Sequence, residues 1–274
     1  MASRALYASS PEWAALSGRL DDLLNGPGFR VLKKNPRTLA GIAHVNDSEV
    51  FVKRVTSRSW LAGLVARVCG SSAHMTIKGA AILDRAGFSH PRLIAAFEHC
   101  RGGSIRASYV IAEYLHRPKL LSRFALADGR DFRWRRWLSQ RLAQTIRGLH
   151  DAGCYTRDLQ ETNLMLEAQG GELGVFFIDL QDYRHRARVS RRLRLLNLVH
   201  LDRSVGRFVS RTHRLRFFYN YLGDKPDHSE MRALLNELRL ITQRIERRQR
   251  RHQRDTAIRL PACDRTQRDS IPVL

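Results

Sequence analysis

Three side chains with oxygen ligands lie close together in the sequence between residues 158 and 179. Asp158 lies in a loop after a predicted helix, Asn163 follows five residues later, and an apolar run ends at Asp179. Phosphoryl transfer needs a carboxylate near the acceptor hydroxyl, and an amide oxygen and a second carboxylate that bind Mg²⁺. We therefore predict Asp158 as a catalytic residue and Asn163 and Asp179 as metal ligands.

The elements around these residues can bring them together. Apolar residues recur at helical spacing over 134–152 and stop at Gly153. Two short strands, 164–166 and 173–180, are predicted on either side of the glycine turn at 170–171. Asn163 lies just before the first strand and Asp179 near the end of the second, so this hairpin brings both residues to the same end.

The N-terminal part of the sequence predicts a sheet. A helix is expected over 10–24, starting at Ser10-Pro11-Glu12. Three strands should follow as an antiparallel meander. Their ranges are 29–33, 38–45 and 49–55; helices are predicted over 59–68 and 75–85, and further strands over 93–97 and 105–112.

Helical patterns dominate after residues 113–118, so we expect a lobe boundary there. Helices are predicted over 191–201, 212–222 and 229–251, and a flexible tail over 255–274. The predicted fold class is α+β.

The chain of 274 residues has 48 Lys+Arg, 42 of them Arg, against 26 Asp+Glu, and a net charge of +22. Hydrophobic residues at 43% and charged residues at 27% exclude wholesale disorder. The charge favours an anionic partner, although solvated arginines account for much of it equally well. Four widely spaced cysteines predict neither a zinc site nor disulfides and favour a reducing compartment.

Two stretches carry a resemblance to a known family. The catalytic stretch reads Thr156-Arg157-Asp158 with Asn163 and Ile178-Asp179-Leu180-Gln181-Asp182, and a later stretch over 211–222 reads RTHRLRFFYNYL. The first resembles the protein-kinase-like superfamily. Together they resemble the lipopolysaccharide core kinases, which act on heptose or 3-deoxy-D-manno-octulosonic acid (Kdo), over roughly residues 29–223.

This resemblance implies a two-lobed protein-kinase-like fold that uses ATP and Mg²⁺. It implies that Lys53 holds the nucleotide phosphates and that the backbone of a hinge strand, at Glu113 and Leu115, holds adenine. The corresponding organisation is a helical extension over 1–28, a nucleotide-binding lobe over 29–116, a catalytic and acceptor-binding lobe over 117–254, and the tail over 255–274.

The sequence departs from the kinase pattern at several supporting positions. The helix glutamate that pairs with the strand lysine should lie near Thr76 or Lys78, and neither is acidic. Either another acid replaces it, or Lys53 is held differently, or activity is reduced. Thr156 and Gln181 replace the usual histidine and glycine. Asp182 is expected either to pair with Arg157 or to contact the acceptor.

The resemblance predicts an ATP- and Mg²⁺-dependent phosphotransferase that acts on an inner-core sugar of lipopolysaccharide. Alternatives are a kinase with another acceptor, as in RIO-like or small-molecule kinases, and an impaired pseudokinase or basic binding module. The basic stretch 244–254 is either a solvated helix face or a contact with an anionic inner-membrane surface. Nucleic acid is a less favoured partner. We expect a cytoplasmic protein, with a peripheral position on the membrane as an open alternative.

Overall fold

The computed structural model describes residues 2–45, 48–125, 131–206, 209–223 and 227–259. Its architecture is the predicted α+β class, with an N-terminal antiparallel sheet followed by a mainly helical part. The strands are β1 (Ala2–Ala8), β2 (Arg30–Lys34), β3 (Thr38–Val45), β4 (Ser48–Thr56), β5 (Leu93–Arg101), β6 (Ser104–Glu113), β7 (Lys119–Leu120), β8 (Cys154–Thr156), β9 (Leu164–Gln169), β10 (Glu172–Phe177) and β11 (Tyr183–His185). The helices are α1 (Pro11–Ala15), α2 (Leu20–Asn25), α3 (Trp60–Cys69), α4 (Ser72–Arg85), α5 (Leu121–Ala125), α6 (Phe132–Asp151), α7 (Arg191–Val205), α8 (Arg211–Leu222) and α9 (His228–Arg259).

The large sheet has the strand order β1-β5-β6-β4-β3-β2, and every pairing in it is antiparallel. The predicted meander β2-β3-β4 is therefore confirmed. Side chains alternate between the two faces. Val50 and Val52 lie in an apolar cluster that Leu20 and Leu24 of α2 help to close. Lys53 is on the opposite face, where α4 packs through Ala73 and Ile77.

Helix α4 also packs against the turn that follows Asp179. A Cβ built on Gly79 would lie only 1.9 Å from the carbonyl oxygen of Leu180, so only glycine allows this approach. At the N-terminal end of the helix, the Ser72 hydroxyl donates a hydrogen bond to Gln181 Oε1 at 2.5 Å. Helix α4 thereby joins the sheet to the segment that carries Asp179.

The N-terminal segment differs from its predicted helical form. Residues 2–8 form β1, which pairs with β5 at the sheet edge, although their alanine content favours a helix. Pairing with an exposed strand edge outweighs that local preference. The predicted helix over 10–24 begins at Pro11 as expected, but a 3-10 turn at Leu16–Gly18, which contains a glycine, divides it into α1 and α2.

In the helical part, α6 and the hairpin β9-β10 lie close to their predicted positions. The short pair β8-β11 was not predicted and joins the residues before Asp158 to those after Asp182. Helix α9 extends to Arg259, so the predicted tail begins inside a helix, and residues 260–274 lie outside the described ranges.

Contacts divide the chain into two compact units, Met1–Asp224 and Lys225–Leu274. The first unit contains both the sheet and the helical part with Asp158, and the lobe boundary predicted near residue 116 falls just after β6. In the described ranges, no helix has the length and apolarity needed to span a bilayer. Cys69, Cys100 and Cys154 are free thiols.

We predict that Gly79→Ala destabilises the protein, because the added methyl group meets backbone that cannot move aside without shifting the turn at 180–182. The expected loss is about 1–3 kcal/mol in the free energy of unfolding, measured by urea titration.

Gly148→Ala in α6 is the matched control. The nearest atom to its new Cβ is a Phe88 ring carbon at 3.7 Å, an ordinary contact. We expect this variant to be neutral or up to about 1 kcal/mol more stable, because alanine favours a helix. Equal behaviour of the two variants would contradict the packing described for Gly79.

Candidate active site

Lys53 and Asp179 form an ion pair between the sheet and the catalytic segment. Lys53 Nζ donates to Asp179 Oδ1 at 2.7 Å, with the two side chains 20% and 32% exposed. On α4, where the resemblance placed a glutamate, Thr76 is buried and its hydroxyl donates to the Ser72 carbonyl. Lys53 is therefore held by Asp179 rather than by an acid at position 76 or 78.

The backbone at Asp179 adopts a conformation that is rare for a residue with a side chain. Its φ and ψ are 57° and 56°, and it is the one non-glycine residue of the described ranges with positive φ. Such strain persists where the surrounding structure fixes it, often at functional sites. Here the amide of Ile178, the residue before Asp179, donates to the Asn163 carbonyl at 3.0 Å. A backbone hydrogen bond therefore joins the two segments that carry the predicted metal ligands.

Asp158 is held by its own loop. Asn163 Nδ2 donates to the Asp158 carbonyl at 2.9 Å and to Oδ2 at 3.3 Å. Gln160 Nε2 donates to Oδ1, and the Asp158 amide donates to Thr156 Oγ1 at 3.2 Å. Thr156, which replaces the usual histidine, thus fixes the backbone of Asp158 through a hydrogen bond. The carboxylate is half-buried and oriented before any ligand arrives.

Asp182 adds a third carboxyl group to this region. Burial raises its pKa, and the neighbouring charges of Asp179 and Asp158 raise it further, while Arg184 and Arg157 act in the opposite direction. Its backbone carbonyl accepts a hydrogen bond from the Arg157 amide at 3.2 Å. The three carboxyl groups therefore share one electrostatic environment, in which a cation or a proton is favoured.

A buried polar network lies beneath the Asp158 loop, and the sequence analysis did not identify it. Asn197 on α7 accepts from the Thr156 amide at 3.3 Å and donates to the Thr156 carbonyl at 2.7 Å. Its Oδ1 also faces His150 Nε2 at 3.1 Å, and His150 Nδ1 lies 2.7 Å from the Tyr221 hydroxyl. These contacts join α6, α7 and α8 to the residue two positions before Asp158.

The hydrogen bonds assign the tautomer of neutral His150. Because Asn197 Oδ1 only accepts, Nε2 carries the proton, and Nδ1 accepts from the Tyr221 hydroxyl. Burial lowers the pKa of His150 to about 4, with nearby Arg194 contributing in the same direction. His150 is therefore neutral at pH 7, and every polar atom of the network has a partner.

A second histidine, His200 on α7, also contacts the loop. His200 hydrogen-bonds to the Arg157 backbone, and burial lowers its pKa although the Asp158 charge acts in the opposite direction. In the sequence, His150, Asn197 and His200 occupy helical positions without any motif around them. The sequence signal for this network is that polar residues occur on otherwise apolar helix faces. That signal is weak when the hydrogen-bond partners of these residues are unknown.

The donor set fits a hard divalent cation. Asn163 uses its amide nitrogen to hold Asp158, which orients its oxygen as an available ligand, and Asp179 supplies a carboxylate. The described residues contain no cluster of three His, Cys, Asp or Glu side chains placed to bind a metal. Two protein ligands are nevertheless sufficient for Mg²⁺ when nucleotide phosphates and water complete the coordination.

The predicted adenine contacts lie next to the lysine strand. Glu113 ends β6 opposite Val50, while Lys53 is opposite Val110, and the Glu113 amide is bonded to the Arg92 carbonyl at 2.9 Å. Leu115 follows in the connection between β6 and β7 and is half-buried. The roles of these two residues in binding adenine stay predictions.

Comparisons with known proteins identify a matching family and a solved structure of similar fold. The model of the lipopolysaccharide kinase (Kdo/WaaP) family matches residues 77–221, which is more than half of the chain. A solved structure of WaaP in complex with acyl carrier protein has a similar fold, with a TM-score of 0.65 and 19% sequence identity, over 90% of this chain and 99% of that chain. No curated protein sequence matches the chain.

The matched range includes Asp158, Asn163 and Asp179 but not Lys53. The inclusion of Lys53 in the site therefore rests on its ion pair with Asp179.

We predict that the buried neutral His150 makes the stability of the protein pH-dependent. In the unfolded chain histidine binds a proton near pH 6.5, whereas in the fold it does so near pH 4. The contribution of neutral His150 to the free energy of unfolding is fully present above about pH 6.5. It falls by up to about 3 kcal/mol as the pH decreases to about 4. Urea unfolding at pH 7.5, 6 and 5 measures this slope.

Replacement of the imidazole should remove that part of the slope. His150→Gln is expected to show a shallower pH dependence, and Tyr221→Phe, which keeps the imidazole, is expected to be less stable at every pH but to keep the slope. An unchanged slope in His150→Gln would contradict the assignment of a neutral buried imidazole.

Proposed function

Because the chain belongs to the lipopolysaccharide kinase (Kdo/WaaP) family, it is a kinase, and we propose that it transfers the γ-phosphoryl group of ATP, with Mg²⁺, to an inner-core sugar hydroxyl of lipopolysaccharide. The observation that carries the proposal is the pair Lys53–Asp179, at 2.7 Å, beside a loop that fixes Asp158 and Asn163. This arrangement supplies a phosphate ligand, metal ligands and a proton acceptor.

In the proposed reaction, Asp158 acts on the acceptor. Its carboxylate orients the sugar hydroxyl and takes its proton as the hydroxyl oxygen bonds to the γ-phosphorus. The bond between that phosphorus and the bridging oxygen breaks, and ADP leaves with the bonding electrons. Gln160 donates to one oxygen of this carboxylate and Asn163 to the other, and these two hydrogen bonds fix its orientation.

Lys53 and the metal ligands act on the nucleotide. When phosphates are bound, the Lys53 ammonium is shared between them and Asp179, so the pair orients both groups. Mg²⁺, held by Asn163 and Asp179, would neutralise charge on the phosphate oxygens.

Membership of this family supports a proposal for the acceptor and for the location of the protein. We propose a lipopolysaccharide inner-core acceptor, heptose or Kdo, and a net charge of +22 suits its anionic groups. Since this acceptor is carried on a lipid, we propose that the kinase works on the cytoplasmic side of the membrane that carries it.

We predict that Asp158→Asn lowers kcat by about 10²- to 10⁴-fold, because the proton acceptor is lost. ATP affinity should change by less than roughly twofold, since the carboxylate acts only on the acceptor. The assay is transfer of labelled phosphate from ATP to deacylated, unphosphorylated lipopolysaccharide core, and nucleotide affinity is measured by calorimetry.

Asp22→Asn is the matched control, because Asp22 is an exposed carboxylate of α2. It should keep full activity. If the wild type binds ATP with Mg²⁺ but transfers no phosphate to this core, another acceptor is favoured. If the wild type does not bind nucleotide, a pseudokinase or basic binding module is favoured.

We predict that Lys53→Met weakens ATP binding roughly 10- to 100-fold, because a charge-assisted hydrogen bond to phosphate is lost. Lys34→Met, which removes an exposed lysine of β2, is the control and should bind ATP normally. Normal binding by Lys53→Met, measured by the same calorimetry, would mean that Lys53 lies outside the nucleotide site.

A further inference from the structure

Helix α3 presents an apolar face to solvent. Leu61, Val65 and Val68 are 67%, 59% and 88% exposed, and their spacing of four and three residues places them on one side of the helix. Trp60, also exposed, lies at the first turn. An aliphatic row of this kind is unusual on a protein surface and marks an interaction site.

The opposite side of α3 is fixed to the sheet. A Cβ on Gly63 would lie 2.1 Å from Ser104 Oγ, so the helix backbone lies directly on β6. Ser104 Oγ donates to the Trp60 carbonyl at 2.9 Å, and Arg67 donates to the Gly103 carbonyl at 3.0 Å. The apolar row is thus held outward by contacts at both ends of the helix, and a small rotation cannot bury it.

The sequence stretch that contains α3 has basic but no acidic side chains. Residues 50–83 contain no Asp or Glu, and Arg58 and Arg67 are exposed in this stretch. Arg101, also exposed, precedes Gly102, whose carbonyl accepts from Trp60 Nε1 at 3.4 Å. An aliphatic row with a tryptophan and with arginines around its base matches an anionic lipid surface, which takes up aliphatic side chains below the headgroups and binds arginine at their phosphates.

We propose that α3 docks the kinase on an anionic lipid bilayer, inserting Leu61, Val65 and Val68 between the headgroups. An aliphatic row that projects from a helix suits a fluid lipid surface, whereas a protein partner would need a groove shaped to receive it. This docking surface is an addition to the proposed function. It rests on that function in one respect, because a lipid-linked acceptor brings the enzyme to a membrane.

The test is co-sedimentation of the full chain with vesicles of phosphatidylcholine alone or with about 30% phosphatidylglycerol. The wild type should bind the anionic vesicles, and the triple variant Leu61→Ser, Val65→Ser, Val68→Ser should bind them at least about tenfold more weakly. The double variant Val31→Ser, Leu32→Ser is the matched control, because these residues are 50% and 55% exposed on β2. It should bind like the wild type.

Tryptophan fluorescence gives a second measurement. On binding anionic vesicles the wild-type emission should shift to shorter wavelength, and Trp60→Phe should lose that shift while still binding. If the triple variant binds anionic vesicles as tightly as the wild type, the proposal is overturned, and the basic stretch 244–254 is favoured as the membrane contact. A wild type that does not bind anionic vesicles would also overturn it and would favour an acidic protein as the partner of α3.

Phosphate transfer to deacylated core separates this proposal from the kinase function. That acceptor is soluble, so the triple variant should phosphorylate it at the wild-type rate, which also shows that the variant is folded. If the wild type itself fails on this acceptor while it binds vesicles through α3, the proposed function is wrong and the docking surface stands.

Discussion

The ion pair between Lys53 and Asp179 is the contact on which the site depends, because it joins two parts of the fold that are built separately. Lys53 is fixed by β4 in the middle of the sheet, and Asp179 by a strained turn after β10. The ammonium and the carboxylate are 2.7 Å apart and only partly exposed, so each fixes the position of the other. The contact of α4 with Leu180 keeps this turn in register with the sheet. A helix glutamate is therefore not required to orient the lysine.

The Asp158 loop has a different kind of support. Three helices contribute polar groups to its base, and His150 and Asn197 are almost completely buried. Such a network is stable only when each group has a partner, since an unpaired buried donor or acceptor costs about 1–3 kcal/mol. The network determines one position of the Thr156 backbone, from which the hydrogen bond to the Asp158 amide follows. The position of the Asp158 carboxylate thus depends on buried groups of three helices as well as on its own loop.

The sequence predicted the elements whose pattern is local. Helix α6, the meander β2-β3-β4 and the hairpin β9-β10 have clear periodicity and turn residues, and Asp158, Asn163 and Asp179 follow from their place on these elements. It did not predict β1, because a strand rich in alanine forms only when β5 offers an edge. It also missed the pairing of Lys53 with Asp179 and of His150 with Asn197, since these contacts join residues 126 and 47 positions apart.

The place of β1 has a consequence for biosynthesis. Its partner in the sheet is β5, so Ala2 is opposite Cys100 and Ala8 is opposite Ala95. During synthesis β1 is made before β5, and its partner is not available until almost a hundred further residues have been made. The strands β2, β3 and β4 can pair locally during this time, but β4 also lacks its neighbour β6 until residue 113. Growing chains shorter than this carry unpaired strand edges, which can pair with other chains while the sheet is incomplete.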